Sequence, residues 1–261
     1  MIFNGDHACN CWKKENPASE ICCLSWRENF LEGPLPSAIS DDRFDRIRAD
    51  FLHTCVPEYS ADGIYRYLTE LRTTLKKFDH PDCKIVLYFD CCMYDMVMLA
   101  RIFSLLKGTR AEIYLFCEDV ILGCSPEVFR KEIASLRKIA PHTVELYARA
   151  WECILQGPQA ISDFNAARAA QGEPFLAEAM SRYAEDHPCG GTLGRTPRQL
   201  LEIINSGISS FPEIFQAFDK YEKYMFMGDT HCLRLLDQLT VEGLIRKSSP
   251  DTFIPALSPE Q

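Results

Sequence analysis

The stretch from Lys84 to Gly108 constrains the fold of this chain more than any other. Ile85 to Phe89 is an unbroken apolar run of strand-forming residues, the pattern of a strand buried on both faces. Asp90 then suits a helix N-cap, because its carboxylate can accept from free N–H groups of the first turn. Residues 91–107 are apolar nearly all round, and Gly108 stands where a helix C-terminus is capped. A buried strand feeding a buried helix is the central unit of an open α/β sheet. Asp95 breaks the pattern. At helical spacing it heads a stripe of Leu99, Ile102 and Leu106, and a buried carboxylate without a partner is costly. The spacing predicts a fixed partner for Asp95 or a site around it, with leucine there a plausible extension of the stripe.

The rest of the chain fits around that unit. Met1 to Phe3 reads as a short strand closed by Asn4-Gly5-Asp6, and Glu20 to Trp26 as a second strand. Helical patterns follow near His7, over Asp41–Leu52 and over Ala61–Phe78, and Glu112–Phe116 reads as a further strand. This alternation predicts an α/β, Rossmann-like domain over residues 1–122, with a mostly parallel sheet of about four strands and right-handed crossovers. Beyond it the strands stop until a closing one near the C-terminus. Pro126–Ile139, Thr143–Leu155 and Glu173–Tyr183 read as helices of a connecting region, 123–189. In residues 190–250, Thr196-Pro197-Arg198-Gln199 has the order of an N-cap, a first-turn proline and a capping-box glutamine. Helices at Phe211–Tyr221 and Asp229–Leu239 and a closing strand near Leu244 make this part winged-helix-like. Residues 251–261 read as an irregular tail.

Composition removes several function classes. Net charge is −9 with a pI of about 5.2, which gives no electrostatic footprint for strong nucleic-acid binding. No apolar run approaches the roughly 20 residues that span a bilayer, so no membrane partner is expected. With no basic and apolar leader at Met1, the expected setting is cytoplasmic. The 13 cysteines are then expected as free thiols, mostly buried. His7, Cys9 and Cys11 alternate rather than follow the spacing of tetrahedral zinc sites. There is no Gly-x-Ser-x-Gly elbow, dinucleotide fingerprint or Gly-Lys-Ser/Thr phosphate loop.

In open α/β sheets ligands bind at the carboxyl ends of the strands. The residues expected there are Asn4, Gly5 and Asp6, then Trp26, Arg27, Glu28 and Glu32, then Asp90 and Asp95, and then Glu118 and Asp119. Asp95, Asp90 and Arg27 are the candidate catalytic residues. Asn4, Gly5, Asp6, Trp26, Glu28 and Glu32 are the candidate ligand-binding residues. Carboxylates of this kind suit a hard divalent cation such as Mg²⁺, and an arginine suits a phosphate or carboxylate. Each also has a plainer reading: Asp6 and Asp90 as helix caps, Arg27 as a surface cation stacked on Trp26, and Glu32 as a solvated turn residue.

Several of these motifs together resemble one bacterial family, the domain of unknown function 1835. They are Asn4-Gly5-Asp6, Trp26-Arg27-Glu28 with Leu31-x-Gly33-Pro34, Phe51-Leu52, and Leu87-x-Phe89 with Asp95 and Leu99. The C-terminal set is Pro174-Phe175-Leu176, Arg182, Leu193-x-Arg195-Thr196-x-Arg198-Gln199 and Met227-Gly228-Asp229. The family commonly has Glu-His where this chain has Asp90-Cys91. The resemblance implies the architecture and a bacterial cytosolic setting, and carries over no catalytic residue or cofactor.

Two functions follow as expectations. In the first, the sheet-edge carboxylates and Arg27 bind a small ligand or nucleotide, with phosphoryl chemistry the natural use of the set. In the second, the chain is a ligand-sensing regulator whose C-terminal unit contacts protein or DNA. Arg195 and Arg198 favour the second, whereas Asp229 and Asp237 on the expected recognition helix are poorly placed for a DNA groove.

Overall fold

The computed structural model describes residues 1–118, 135–167, 172–188, 190–222 and 227–256. They fall into two compact units, Met1–Met180 and Ser181–Gln261. In the first, β1 (Ile2–Phe3), α1 (Asp6–Glu15), β2 (Leu24–Ser25), α2 (Asp41–Cys55) and α3 (Ala61–Lys77) lead into β3 (Lys84–Asp90) and α4 (Met93–Leu105). Next come β4 (Glu112–Glu118), β5 (Arg137–Lys138), α5 (Pro141–Gln156) and α6 (Pro158–Ala166), and α7 (Pro174–Asp186) runs on into the second unit.

The fold is α/β. One five-stranded sheet has the order β2-β1-β3-β4-β5, parallel except for β5. As expected, β3 lies inside the sheet, with Ile2 opposite Leu87 on one side and the full length of β4 on the other. Its apolar run explains the position, because Leu87 and Phe89 are fully buried and each such side chain contributes roughly 1.5–3 kcal/mol. Strand order reverses at β1, whose successor in sequence lies on one side and β3 on the other. The crevice between the carboxyl ends of β1 and β3 is therefore the topological switch point of the sheet.

Helix α4 is buried over almost its whole length, from Met93 to Phe103, and packs against α5. Phe103 of α4 and Tyr147 of α5 meet with ring centroids 4.7 Å apart. Arg101 of α4 bonds Asp41 at 2.9 Å and lies over the rings of Phe44 and Trp151. Ser40 and Ser60 cap α2 and α3 through their hydroxyls.

The second unit contains α8 (Arg195–Asn205), α9 (Phe211–Phe218), α10 (Asp229–Val241) and a hairpin of β6 (Ile245–Ser249) and β7 (Thr252–Pro255). Its core joins Leu200, Ile203, Ile214, Phe218, Leu236 and Phe253.

Several expectations are corrected. Residues 135–166 belong to the sheet unit: β5 adds an antiparallel edge to β4, and α5 covers α4. Thr252–Pro255, expected in an irregular tail, form β7, where Phe253 is completely buried and anchors the strand against β6. Asp90 is not the N-cap of α4: it ends β3 opposite Glu118, and Cys92 holds that position. Thr196 is not the N-cap of α8. Gly194 holds that place, while Asp186 accepts both the Thr196 N–H and its hydroxyl, at 2.7 and 2.9 Å. The expected helix Pro126–Ile139 lies largely outside the described residues, and Asp119 does too. Among the described residues no helix is long and apolar enough to cross a membrane.

Candidate functional site

The chain turns sharply as it leaves β1. Gly5 has φ +137° and ψ −174°, a conformation open to glycine and strained for other residues. The turn starts α1 at Asp6 and leaves Asn4 at the switch point. The Asn4 side-chain amide donates to Asp95 Oδ2 at 2.7 Å and to Asp90 Oδ2 at 3.3 Å. The Asp90 backbone N–H donates to the same Asp95 oxygen at 2.6 Å. One asparagine thus bridges two carboxylates brought by the end of β3 and the first turn of α4.

Asp95 is 1% exposed. Its Oδ2 takes two donors, whereas Oδ1 is buried with no hydrogen-bond partner among the described residues. Burial, and then the charge of Asp90, push the Asp95 carboxyl well above the usual carboxylate range; the two hydrogen bonds oppose this. The fixed partner that the sequence asks for is present on one of the two Asp95 oxygens. Asn4 and the Asp90 N–H fill that role, and Arg27 pairs with Asp6, at 2.7 Å. Among the described residues no group of three or more His, Cys, Asp or Glu is placed to hold a metal ion. Asp90 and Asp95 form a two-carboxylate set, enough for Mg²⁺ only if water and ligand phosphate complete its shell.

Arg27 and Asp6 sit on the same edge, next to β1 and β2, and both are about half exposed. The guanidinium lies 5.0 Å from the centre of the Tyr67 ring rather than on Trp26. The Tyr67 hydroxyl donates to the Ser25 carbonyl, and burial pushes its pKa up to about 12. Trp26 is buried, with an indole N–H lacking a partner among the described residues.

Glu28 and Glu32 belong to a different structure. Arg48, completely buried, donates to Glu28 Oε1 at 2.7 Å and to the carbonyls of Asn29, Glu32 and Pro34 at 2.6, 2.7 and 3.2 Å. The Glu28 carboxylate is thereby committed to fastening the 27–36 loop onto α2. The Glu32 side chain accepts from Asn29 at 2.5 Å. Gly33 belongs to this fastening: at φ +75°, a Cβ there would lie 2.5 Å from the Phe51 ring.

Two features had no clear signal in the sequence. The Cys91 and Cys117 sulfurs lie 3.0 Å apart at the carboxyl ends of β3 and β4, and nothing local in either segment points to the other. Cys117 also lines a cavity of about 320 Å³ with Phe116, Arg137, Tyr147 and Glu173. Arg137 grips Glu173 through both nitrogens, at 2.5 and 2.9 Å, and the buried Tyr147 hydroxyl donates to the same carboxylate at 3.2 Å. The tyrosine lies in α5 and the glutamate immediately before α7, both in the region that the sequence reading left outside the sheet domain.

Comparison with known proteins finds no matching family model, no matching curated protein and no matching solved structure.

Proposed function

We infer that the first unit binds a small phosphorylated ligand of nucleotide type at the carboxyl edge of its sheet and carries out phosphoryl chemistry there. The observation that carries this reading is the buried Asp95 carboxylate at the switch point, held on one oxygen by Asn4 and the Asp90 N–H and unpartnered on the other. Left alone, that arrangement is costly. A divalent cation between Asp90 and Asp95 would offset the cost, and Mg²⁺ is commonly held by one or two carboxylates plus substrate phosphates. Arg27 is the mobile counterpart: half exposed on the Tyr67 ring, it could exchange Asp6 for a ligand phosphate bidentately. The cavity beside Cys117 is a separate space, lined by none of Asn4, Arg27, Asp90 and Asp95.

The alternative, a ligand-sensing regulator, draws on the second unit. Three helices followed by a hairpin, with Ser210 bridging to Thr252, follow the winged-helix order. This unit carries more acidic than basic residues, which favours a protein partner over DNA. A bacterial, cytoplasmic setting and membership of the family of the domain of unknown function 1835 belong to the same proposal and rest on the motif residues alone.

Thermal melts with Mg²⁺ and nucleoside di- and triphosphates test the main reading. Wild-type protein is expected to be stabilised by a nucleotide only with the metal present, and Asp95→Asn to lose that response. Equal stabilisation of both proteins would place the ligand elsewhere.

A further inference from the structure

We propose that Cys91 and Cys117 form a reversible dithiol–disulfide pair, a redox modification site at the carboxyl ends of β3 and β4. Their sulfurs are 3.0 Å apart, while Phe89 and Asp90 lie opposite Cys117 and Glu118 in the ladder. Rigid neighbouring strands thus hold the two thiols close to bonding distance, whose value is about 2.05 Å. Burial alone does not account for the pairing: Cys9 and Cys232 are more deeply buried than either cysteine of the pair and take no part in it. Cys117 is also approachable by a small molecule, because it lines the cavity of about 320 Å³.

The oxidant class is a low-molecular-weight disulfide. Cys117 sulfur attacks one sulfur of the small disulfide, whose S–S bond breaks; one small thiol departs with the Cys117 proton. Cys91 then attacks the Cys117 sulfur of the mixed disulfide, expelling the second small thiol, which takes the Cys91 proton. Two electrons pass from the cysteines to the small disulfide, and two small thiols are released. The oxidation of the pair is read at equilibrium. Once formed, the bond lies one residue from Asp90; an effect on the Asp95 set would follow only if the ligand site is read correctly.

The test equilibrates the full chain in buffers of reduced and oxidised glutathione, traps free thiols by alkylation and maps linked peptides by mass spectrometry. A Cys91–Cys117 link is expected, with a fraction that follows the buffer ratio, reverses with dithiothreitol and disappears in Cys117→Ala. In Cys117→Ser, circular dichroism should remain that of wild type and no substitute link should form at Cys91. A link that instead joins Cys91 to Cys92, or Cys91 and Cys117 both alkylated at every ratio while exposed Cys22 becomes oxidised, would overturn the proposal. None of these readouts uses a ligand, so they stand apart from the test of the phosphoryl site.

Discussion

Asn4 donates to Asp95 at 2.7 Å across 91 positions of sequence, joining the first loop of the chain to the helix at its centre. The same amide reaches Asp90, so the turn after β1 fixes the relative placement of two carboxylates it does not itself carry.

Because Asp95 accepts two hydrogen bonds, leucine is not a neutral replacement. Asp95→Leu would leave the Asp90 N–H without its acceptor and the Asn4 amide with only Asp90, and an unsatisfied buried group costs about 1–3 kcal/mol. A drop in stability of that order is expected in urea denaturation, against the simple view that leucine extends the Leu99 stripe.

The pH dependence separates charge from shape. Burial raises the folded-state pKa of Asp95. Well below the unfolded pKa both states hold the proton, and the stability linked to it is fully present. As pH rises towards and through the folded pKa, the unfolded state has already released its proton and that stability is lost. Asp95→Asn has no proton to lose. The melting temperature of the variant minus that of wild type should therefore grow as pH rises, measured by calorimetry from acid to neutral pH.

Arg48 and Glu28 should behave as a structural unit. Arg48→Met strands the buried Glu28 carboxylate and is expected to cost about 3–5 kcal/mol. Adding Glu28→Met should recover part of the loss, because the pair is then replaced by apolar groups. Unfolding in urea of both variants measures the coupling. Gly33→Ala, which drives a Cβ into the Phe51 ring at positive φ, should lose about 1–3 kcal/mol without touching the switch point.

Arg27→Ala removes a half-exposed ion pair, so its effect on stability should stay under about 1 kcal/mol. Its effect on ligand affinity should be large if Arg27 takes the phosphate, and titration calorimetry with a nucleoside diphosphate and Mg²⁺ compares the two.

The central strand and helix were legible because Ile85–Phe89 and residues 93–105 carry their burial in their own pattern. So was the anomaly of Asp95, since a carboxylate above Leu99 and Ile102 has to be answered by something. What answers it was not legible, because Asn4 reaches it through sheet order, and strand order leaves no local trace in a two-residue strand such as β1. Glu28 and Glu32 drew attention as site candidates, yet they meet with Gly33 and Phe51 around Arg48, whose role as a buried hub a charge in the middle of α2 does not announce. Thr196-Pro197-Arg198-Gln199 had the right residues for its own cap, but Asp186 supplies the acceptor from the preceding helix. The same limit applies to Cys91 and Cys117, which only the parallel register of β3 and β4 brings together.

In the proposed site Asp90 and Asp95 hold a divalent cation together with a phosphorylated ligand. Electron paramagnetic resonance of Mn²⁺, titrated into the full chain with and without a nucleoside diphosphate, tests this. Protein-bound Mn²⁺ is expected to strengthen with the nucleotide and to be lost in Asp90→Asn and in Asp95→Asn, both still cooperatively folded. Mn²⁺ and nucleotide bound equally well by wild type and both variants, or by none of the three, would contradict it.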